Sequence, residues 1–164
     1  MQARVYQLNV KKETLEERGI PKGAIETLKI TKEGCEGDYN RYRTEKKQSD
    51  PHKAVMILTK EIIEELNKEG WPIEPGDLGE NITLEGIPYE DLQPKTQIKI
   101  DKVLLEITQA CTPCTNLRVL AYVGLSKTPL FIKTMLGRRG WYAKVLQEGT
   151  IKKREKIEVQ MVVK

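Results

Sequence analysis

Two cysteines three residues apart, Cys111 and Cys114, are the most chemically distinctive pair in this sequence of 164 residues. A thiolate is both a nucleophile and a ligand for soft metals, and it persists near neutral pH where cations surround it. The chain has three cysteines in all, which is too few and too odd a number for a disulfide framework. We therefore expect the pair to be reduced and to have a role other than cross-linking.

Four interpretations fit the spacing Cys111-Thr-Pro-Cys114. A thiol–disulfide centre would place the first cysteine at the start of a helix that follows a strand. A zinc site needs four ligands, and Cys35 and His52 together with this pair supply that number. Two small buried side chains at a strand end would have a purely structural role. A single reactive thiolate would carry sulfur or bind a soft metal, and the spacing alone does not choose among the four.

Several other chemistries are excluded by the sequence. It contains no Gly-x-Ser-x-Gly elbow, no Gly-x-x-x-x-Gly-Lys-Ser/Thr loop and no Gly-x-Gly-x-x-Gly turn. His52 is the only histidine, so a site with several histidines cannot form. No flavin, haem or iron–sulfur motif is present in the sequence.

Composition predicts a soluble cytoplasmic protein with one domain spanning residues 1–164. Charged residues make up 32% of the chain and hydrophobic residues 38%. No stretch approaches the roughly 18 apolar residues that span a bilayer. The first residues lack the apolar region of a secretory signal. We expect no membrane association, and the length is typical of one domain.

Positive charge is concentrated towards the C-terminal end of the chain. The net charge is +4, and the residues from Lys133 onward contain nine Lys and Arg against three Asp and Glu, or +6. The first 132 residues contain 19 Lys and Arg against 21 Asp and Glu, a net charge of −2. Such a segment suits an anion such as a phosphate or an anionic cofactor, or it forms a solvated strand face. Few aromatic residues accompany the cations, so nucleic acid is not the expected partner.

The elements that must position these residues are mostly strands. Alternation of apolar and polar residues predicts single strands at 4–10, 24–30 and 82–84. Residues 97–108 predict a hairpin that turns near Asp101 and Lys102, with Val103, Leu105 and Ile107 on the apolar face of its second strand. Segments 140–146 and 157–163 predict a second hairpin around Glu148 and Gly149. We expect Trp141 and Tyr142 to be core residues of this last pair.

One helix is well defined by its signals. Thr59 is a suitable N-cap, and Gly70 followed by Pro72 ends the apolar stripe, which predicts a helix over residues 60–69. A shorter helix is predicted at 128–136, and residues 34–51 form a long polar loop. Seven or eight short strands with two or three short α-helices predict a mostly β, barrel-like fold. A doubly wound parallel sheet would need strands that alternate with long helices.

Five motifs, in the same order as in the family, resemble the MOSC domain, which is named for the C-terminal part of molybdenum cofactor sulfurases. They are Gly37-Asp38, Asp50-Pro-His-Lys-Ala-Val55, Pro75-Gly-Asp-Leu-Gly-Glu-Asn-Ile-Thr83, Leu105-Glu-Ile-Thr-x-x-x-x-Pro-Cys114 and Gly140-Trp-Tyr-Ala-Lys-Val-Leu146. The similarity extends over about residues 20–160. It predicts a MOSC protein without an aminotransferase-like partner domain.

The resemblance implies a β-barrel-like fold associated with the molybdenum-pterin cofactor (Mo-molybdopterin) and, at family level, with pyridoxal phosphate binding. In characterised relatives a cysteine carries sulfur or ligates molybdenum, and the corresponding residue here is Cys114. Lys53 stands where the family commonly has arginine, which keeps the charge but loses the bidentate geometry. Cys111 is not part of the family pattern.

Other side chains suit an anionic pterin cofactor. Asn81 offers amide donors and an acceptor to a pterin ring, and Asp38 is either a ligand contact or a turn cap. Cations for a phosphate tail are available at Arg41, Arg43, Lys53, Arg138 and Arg139. The sequence thus predicts Cys114 as catalytic residue and metal ligand, with cofactor-binding residues Asp38, Lys53, Asn81 and Arg139.

Two functions follow from this resemblance. As an enzyme, the protein would reduce N-oxygenated compounds such as hydroxylamines, with Cys114 on molybdenum and electrons from a donor protein. As a carrier, it would accept sulfur on Cys114 from a donor protein and hand it to the cofactor. A Cys-x-x-Cys thiol redox protein and a basic nucleic-acid-binding β-barrel module are the alternatives.

Overall fold

The computed structural model describes residues 2–12, 19–39 and 50–161. Within them the strands are β1 (Arg4–Val10), β2 (Gly23–Ile25), β3 (Thr27–Thr31), β4 (Gly34–Cys35), β5 (Val55–Thr59), β6 (Ile82–Glu85), β7 (Gln97–Ile100), β8 (Val103–Ala110), β9 (Trp141–Gln147), β10 (Gly149–Lys152) and β11 (Ile157–Gln160). The helices are α1 (Lys60–Lys68) and α2 (Gly124–Met135), with short 3-10 turns at Pro51–Lys53, Tyr89–Asp91 and Thr115–Val119. The prediction of a mostly β fold with two short α-helices is confirmed.

Eight of the strands form one curled sheet in the order β11-β7-β8-β9-β5-β6-β1-β2, and β10-β3-β4 form a second sheet. The pairings are antiparallel except that between β5 and β6, which is parallel. The curl brings the segment before β11 to β1, where the Val5 N–H donates to the Glu155 carbonyl at 2.8 Å. A single bridge joins Arg4 to Lys156, so the sheet curves like a barrel without closing.

The core lies between the two sheets and under the helices. On β8 the buried side chains are Val103, Leu105 and Ile107, as the alternation predicted. A second apolar cluster packs α1 and α2 against the sheet, with Phe131 at its centre. The ring of Trp71 meets that of Phe131 edge-on, with centroids 4.7 Å apart. Because both helices rest on one apolar layer, the loops that surround them are held in fixed positions.

Helix α1 begins and ends as its sequence predicted. The Thr59 hydroxyl accepts the Ile62 N–H at 3.3 Å, which satisfies one of the free donors of the first turn. Its buried face is Ile62, Ile63 and Leu66. Gly70 adopts φ +103°, a left-handed conformation that glycine reaches without strain.

Three local predictions were wrong in ways that long-range pairing explains. Residues 24–30 divide between the sheets, because β2 pairs with β1 and β3 pairs with β10. The second hairpin does not form, since β9 pairs with β8 and β5 while β11 pairs with β7. The turn at Glu148 instead moves the chain from one sheet to the other. Helix α2 begins at Gly124, four residues before the predicted start, and the Thr128 hydroxyl donates back to the Gly124 carbonyl.

Candidate functional site

A cavity of about 420 Å³ lies where the C-terminal end of β8 meets the start of β9. The Cys111 N–H donates to the Gly140 carbonyl at 2.8 Å, which extends the β8–β9 ladder to the cavity edge. Among the side chains that line the cavity are Lys22, Lys53, Met56, Cys111, Cys114, Arg139 and Tyr142. Three of the predicted site residues, Cys114, Lys53 and Arg139, therefore meet at one place although the chain separates them by up to 86 positions.

The two cysteines present different surfaces to this cavity. Both are free thiols; Cys111 is buried, whereas Cys114 is exposed at the start of the 3-10 turn Thr115–Val119. Cys114 has an extended backbone, with φ −139° and ψ 171°. A thiol–disulfide centre would place the first cysteine at the start of a helix, whereas here the 3-10 turn begins after the second cysteine. This placement does not match the thiol–disulfide interpretation.

The described residues do not form the four-ligand zinc site. No three His, Cys, Asp or Glu side chains gather in ranges 2–12, 19–39 and 50–161 in a way that holds a metal ion. Cys35 lies on β4 in the second sheet, and His52 lies in the 3-10 turn Pro51–Lys53. A site with one cysteine ligand is a different arrangement and is compatible with this placement.

Tyr142 lines the cavity, which corrects the prediction that it is a core residue. Its hydroxyl hydrogen-bonds to the Cys111 thiol, and burial raises the pKa of Tyr142 above its ordinary value. The Lys53 Nζ atom lies 5.2 Å from the centre of the Tyr142 ring, a cation–π contact. Tyr142 therefore stays protonated and offers a hydrogen-bond donor beside both cysteines. Trp141 packs against the core as expected.

Arg139 is the most unusual cation of the site. Its guanidinium group is buried, with 7% of the residue exposed, and Nη1 lies 3.6 Å from the Met56 sulfur. Within the described chain its Nε atom has no hydrogen-bond partner, and no carboxylate lies within ion-pair distance. Because the residue also lines the cavity, its positive charge suits an anionic group bound there.

Gly79 packs closely against Ile20 in the cavity wall. It adopts φ +91°, and a Cβ atom there would lie 2.9 Å from the Ile20 Cγ2 atom and 3.9 Å from the Arg139 Nη2 atom. A larger residue at this position would be both strained and overcrowded. Gly79 is thus required for the shape of the cavity wall.

Behind this wall lies Glu80, a fully buried carboxyl. Its Oε2 atom accepts the Thr83 hydroxyl at 2.9 Å, while Oε1 has no partner in the described part of the chain. Burial raises the pKa of Glu80 to about 7, and the positive charge of Arg139 acts in the opposite direction. Near neutral pH the group therefore changes its charge, and with it the net charge around Arg139.

Asp38 and Asn81 do not line the cavity but are held in a polar network beside it. The Asp38 carboxylate accepts hydrogen bonds from Lys22 Nζ at 2.7 Å and from Asn81 Nδ2 at 2.8 Å. It also accepts the Lys11 N–H at 2.8 Å. The Asn81 Oδ1 atom accepts the Met56 N–H at 3.0 Å. These contacts anchor Lys22 and Met56, which do line the cavity, so Asp38 and Asn81 position the wall.

Arg138 differs from its neighbour Arg139. It bonds to Glu65 of α1 and to Glu69, which caps that helix, with Arg138 Nη2 2.9 Å from Glu69 Oε1. The hydrogen bond from Arg138 lowers the pKa of Glu69. Arg138 thus ties α1 to the chain that follows α2. The other two predicted cations, Arg41 and Arg43, lie outside the described residues.

Comparison with protein families identifies the fold around this cavity. The family model of the MOSC domain matches residues 44–158. The chain belongs to the MOSC domain family. The matched segment includes Lys53, Cys114, Arg139 and Tyr142. A search of curated proteins found no match.

Solved structures share the fold of this MOSC protein. The YuaD protein from Bacillus subtilis has a TM-score of 0.83 at 20% identity and covers 99% of this chain and 98% of its own. YiiM from Geobacillus stearothermophilus has a TM-score of 0.72 at 24% identity, covering 96% of this chain and 75% of its own. YiiM from Escherichia coli has a TM-score of 0.67 at 19% identity, covering 99% and 71%. These TM-scores show a common fold, and at such low identities the similarity shows the fold alone.

Sequence reasoning on this MOSC protein missed Lys22, Glu80 and the role of Tyr142. Lys22 lies outside the matched segment and forms its contacts with Asp38 only in the fold. Glu80 stands inside the Pro75–Thr83 motif, but only its burial distinguishes it from any surface carboxyl. Tyr142 follows Trp141 in a strand pattern, and the pattern does not show which side faces a cavity.

None of the described helices is long and apolar enough to cross a membrane.

Proposed function

We propose that this protein binds a molybdenum-pterin cofactor in the cavity beside Cys114 and uses it to reduce N-oxygenated compounds. One observation carries the proposal: the buried guanidinium of Arg139, which has no carboxylate partner in the described residues, lines the same cavity as an exposed free thiol. The MOSC family is associated with the molybdenum cofactor, whose pterin part carries a phosphate. A soft thiolate and a buried guanidinium are the two donors that such a group requires.

The residues present fit the cofactor. A cavity of about 420 Å³ falls within the range of small-molecule sites. Cys114 would hold the metal, and the guanidinium group of Arg139 would bind an anionic oxygen. Lys53 adds a second positive charge to the same wall. When bound, the cofactor would supply the electrons for reduction of an N–O bond.

Tyr142 would position the substrate for this reaction through its hydroxyl group. Reduction of a hydroxylamine to an amine and water takes up two electrons and two protons. Because its pKa lies above the ordinary value, the Tyr142 hydroxyl holds its proton at neutral pH and can donate a hydrogen bond to a substrate oxygen. The Cys111 thiol keeps this hydroxyl in place, which gives Cys111 a positioning role.

Elemental analysis of the protein tests the proposal directly. The protein would be purified without air from a host that makes the pterin cofactor, in parallel with Cys114→Ala, Arg139→Gln and the control Cys35→Ala. We expect near-stoichiometric molybdenum in the parent and in Cys35→Ala, and its loss from Cys114→Ala. Reduction of a hydroxylamine by the loaded protein, with a chemical reductant, is expected to follow the metal content. Equal molybdenum in the parent and Cys114→Ala would refute the role of Cys114.

A sulfur-carrier role is the second candidate, and the exposure of Cys114 favours it. An exposed thiol at a cavity mouth is accessible to a donor protein, as sulfur hand-over requires. The measurement is the mass of the intact protein after incubation with a sulfur donor. Addition of one sulfur atom to the parent but not to Cys114→Ala, with no metal retained, would establish the carrier role in place of the reductase.

A further inference from the structure

Residues 107–147 contain six Lys and Arg and no Asp or Glu. This segment runs from β8 through Cys114 and α2 to the end of β9. Arg138 and Lys144 pair with carboxylates of other segments, and Arg139 is buried in the cavity wall. The remaining three cations, Arg118, Lys127 and Lys133, are exposed, and none forms an ion pair with a carboxylate in the described ranges. Their positive charge is therefore uncompensated locally.

The same segment exposes large apolar side chains. Leu125 is 77% exposed, Leu130 58% and Leu136 61%. The inward face of α2 is formed by other residues, including Phe131 and Met135, so these leucines are not needed for the core. We call the exposed set the α2 surface; it consists of Arg118, Leu125, Lys127, Leu130, Lys133 and Leu136. Exposed leucines among unpaired cations are typical of a protein-binding surface.

The α2 surface adjoins the mouth of the cavity. The 3-10 turn Thr115–Val119 follows directly on Cys114 and packs against α2. Asn116 of that turn lines the cavity, while Arg118 of the same turn belongs to the α2 surface. Helix α2 has 12 residues and is thus about 18 Å long. A protein that covered α2 would reach the exposed Cys114 thiol at the same time.

We propose that the α2 surface is the docking site of an acidic electron-donor protein that serves the cavity at Cys114. That this donor delivers electrons rests on the proposed reductase function, whereas its binding to the α2 surface does not. The donor would be oxidised as it gives two electrons, and the N–O bond would be reduced to an amine with uptake of two protons and release of water. Charge complementarity selects the partner, because opposite charges steer association and like charges oppose it.

Other occupants fit the α2 surface less well. A second copy that bound through the same surface would bring three uncompensated cations against three others. An anionic membrane would favour aromatic residues at the contact, and the aromatic residue of α2, Phe131, is buried. Both remain outcomes that the experiment below distinguishes.

The test is an NMR titration of the ¹⁵N-labelled protein, using an acidic flavodoxin as probe and the basic protein cytochrome c as matched control. We expect flavodoxin to shift backbone signals mainly in residues 114–136, with a Kd that rises steeply with salt. Cytochrome c is expected to leave those signals unchanged. The measurement needs no bound cofactor, so it is independent of metal content.

Variants give the same test a second readout. Lys127→Glu combined with Lys133→Glu is expected to weaken flavodoxin binding at least about tenfold, and Leu125→Ser combined with Leu130→Ser to weaken it several-fold. The control pair is Lys99→Glu with Lys152→Glu. These exposed residues lie on β7 and β10, outside the segment 107–147, and we expect no change in affinity.

Several results would overturn this proposal. They are no binding of flavodoxin at low salt, equal binding of cytochrome c, equal weakening by the control pair, and shifts outside residues 114–136. Concentration-dependent shifts without any probe would assign the surface to a second copy, and shifts with vesicles of anionic phospholipid alone would assign it to a membrane. Flavodoxin binding by a protein that retains no molybdenum would support the α2 surface and contradict the proposed function. Retained molybdenum without flavodoxin binding would support the proposed function and contradict the α2 surface.

Discussion

Lys22 and Arg139 line one cavity and are both more than nine-tenths buried, yet their surroundings differ. Lys22 Nζ donates to both Asp38 oxygens, at 2.7 and 2.9 Å, and to the Tyr39 carbonyl at 3.2 Å. Arg139 has a sulfur contact and an unpartnered Nε atom. A buried charge paired with a carboxylate of the chain belongs to the scaffold, whereas a cavity-lining charge without such a partner is available to a ligand. The two cations thus separate the rigid wall of the site from its binding group.

Replacing Lys22 is expected to have the largest effect on stability. Lys22→Met leaves the buried Asp38 carboxylate without its counter-charge, and breaking such a pair destabilises by about 3–5 kcal/mol. Urea unfolding measures this change. The double variant Lys22→Met with Asp38→Asn removes the unpaired charge and should recover part of the loss. A change below about 1 kcal/mol in the single variant would contradict the scaffold role.

Glu80 is expected to make stability depend on pH. Its pKa is 4.5 in the unfolded chain and about 7 in the fold, so between these values the folded protein holds a proton that the unfolded chain releases. The free energy of unfolding therefore falls as pH rises through this window, by about 3 kcal/mol in all. Glu80→Gln should remove that slope, as measured by urea unfolding at pH 5, 6, 7 and 8.

The matched control for this measurement is Glu158→Gln, which removes an exposed carboxyl on β11. It should keep the pH dependence of the parent protein. An identical slope in the parent and in Glu80→Gln would show that Glu80 does not titrate in this range.

Replacing Arg139 is expected to change stability little and binding strongly. Arg139→Gln removes a buried charge that lacks an internal ion pair, so the free energy of unfolding should change by no more than about 1 kcal/mol. Inorganic phosphate should raise the Tm of the parent and leave that of the variant unchanged, because only a ligand of the folded state stabilises it. Strong destabilisation by this substitution would place Arg139 with Lys22 in the scaffold.

The smallest effect on stability is expected for Tyr142→Phe, below about 1 kcal/mol, because the lost partner is a thiol and therefore a weak acceptor. The variant should retain molybdenum but reduce hydroxylamines more slowly. Full activity in the loaded variant would exclude the hydroxyl as a hydrogen-bond donor to the substrate.

Local signals in the sequence predicted the elements whose determinants are local. The Thr59 cap and Gly70 stop define α1, and the turn at Asp101 defines the β7–β8 hairpin, which forms as expected. Strand β5 gave no alternation because all five of its residues are buried, and a continuous apolar run does not distinguish a strand from a helix. Partner choice for β9 and β11 depends on residues far away in the chain.

The residues of the candidate site also divide into those that the sequence predicts and those whose roles depend on the fold. Residue type and motif order pointed to Cys114, Lys53 and Arg139, and the fold brings these three to one cavity. The hydrogen-bonding groups of Asp38 and Asn81 predict cofactor contacts. In the fold, Asp38 binds Lys22 and Asn81 binds the Met56 backbone. The roles of Glu80 and Tyr142 depend on burial and on which face a strand presents, and a single sequence carries neither.

The hydrogen bonds between β1 and residues 155–157 affect how the chain folds during its synthesis. The Val5 N–H bonds to the Glu155 carbonyl, 150 positions later, and the Ile157 N–H bonds to the Ala3 carbonyl. Contacts between such distant positions form slowly, because the ends of a long loop must meet before the contact stabilises the fold. The sheet therefore cannot be completed on the ribosome until β11 has emerged. Strand β1 can pair with β2 and β6 earlier, but its contacts with residues 155–157 form last.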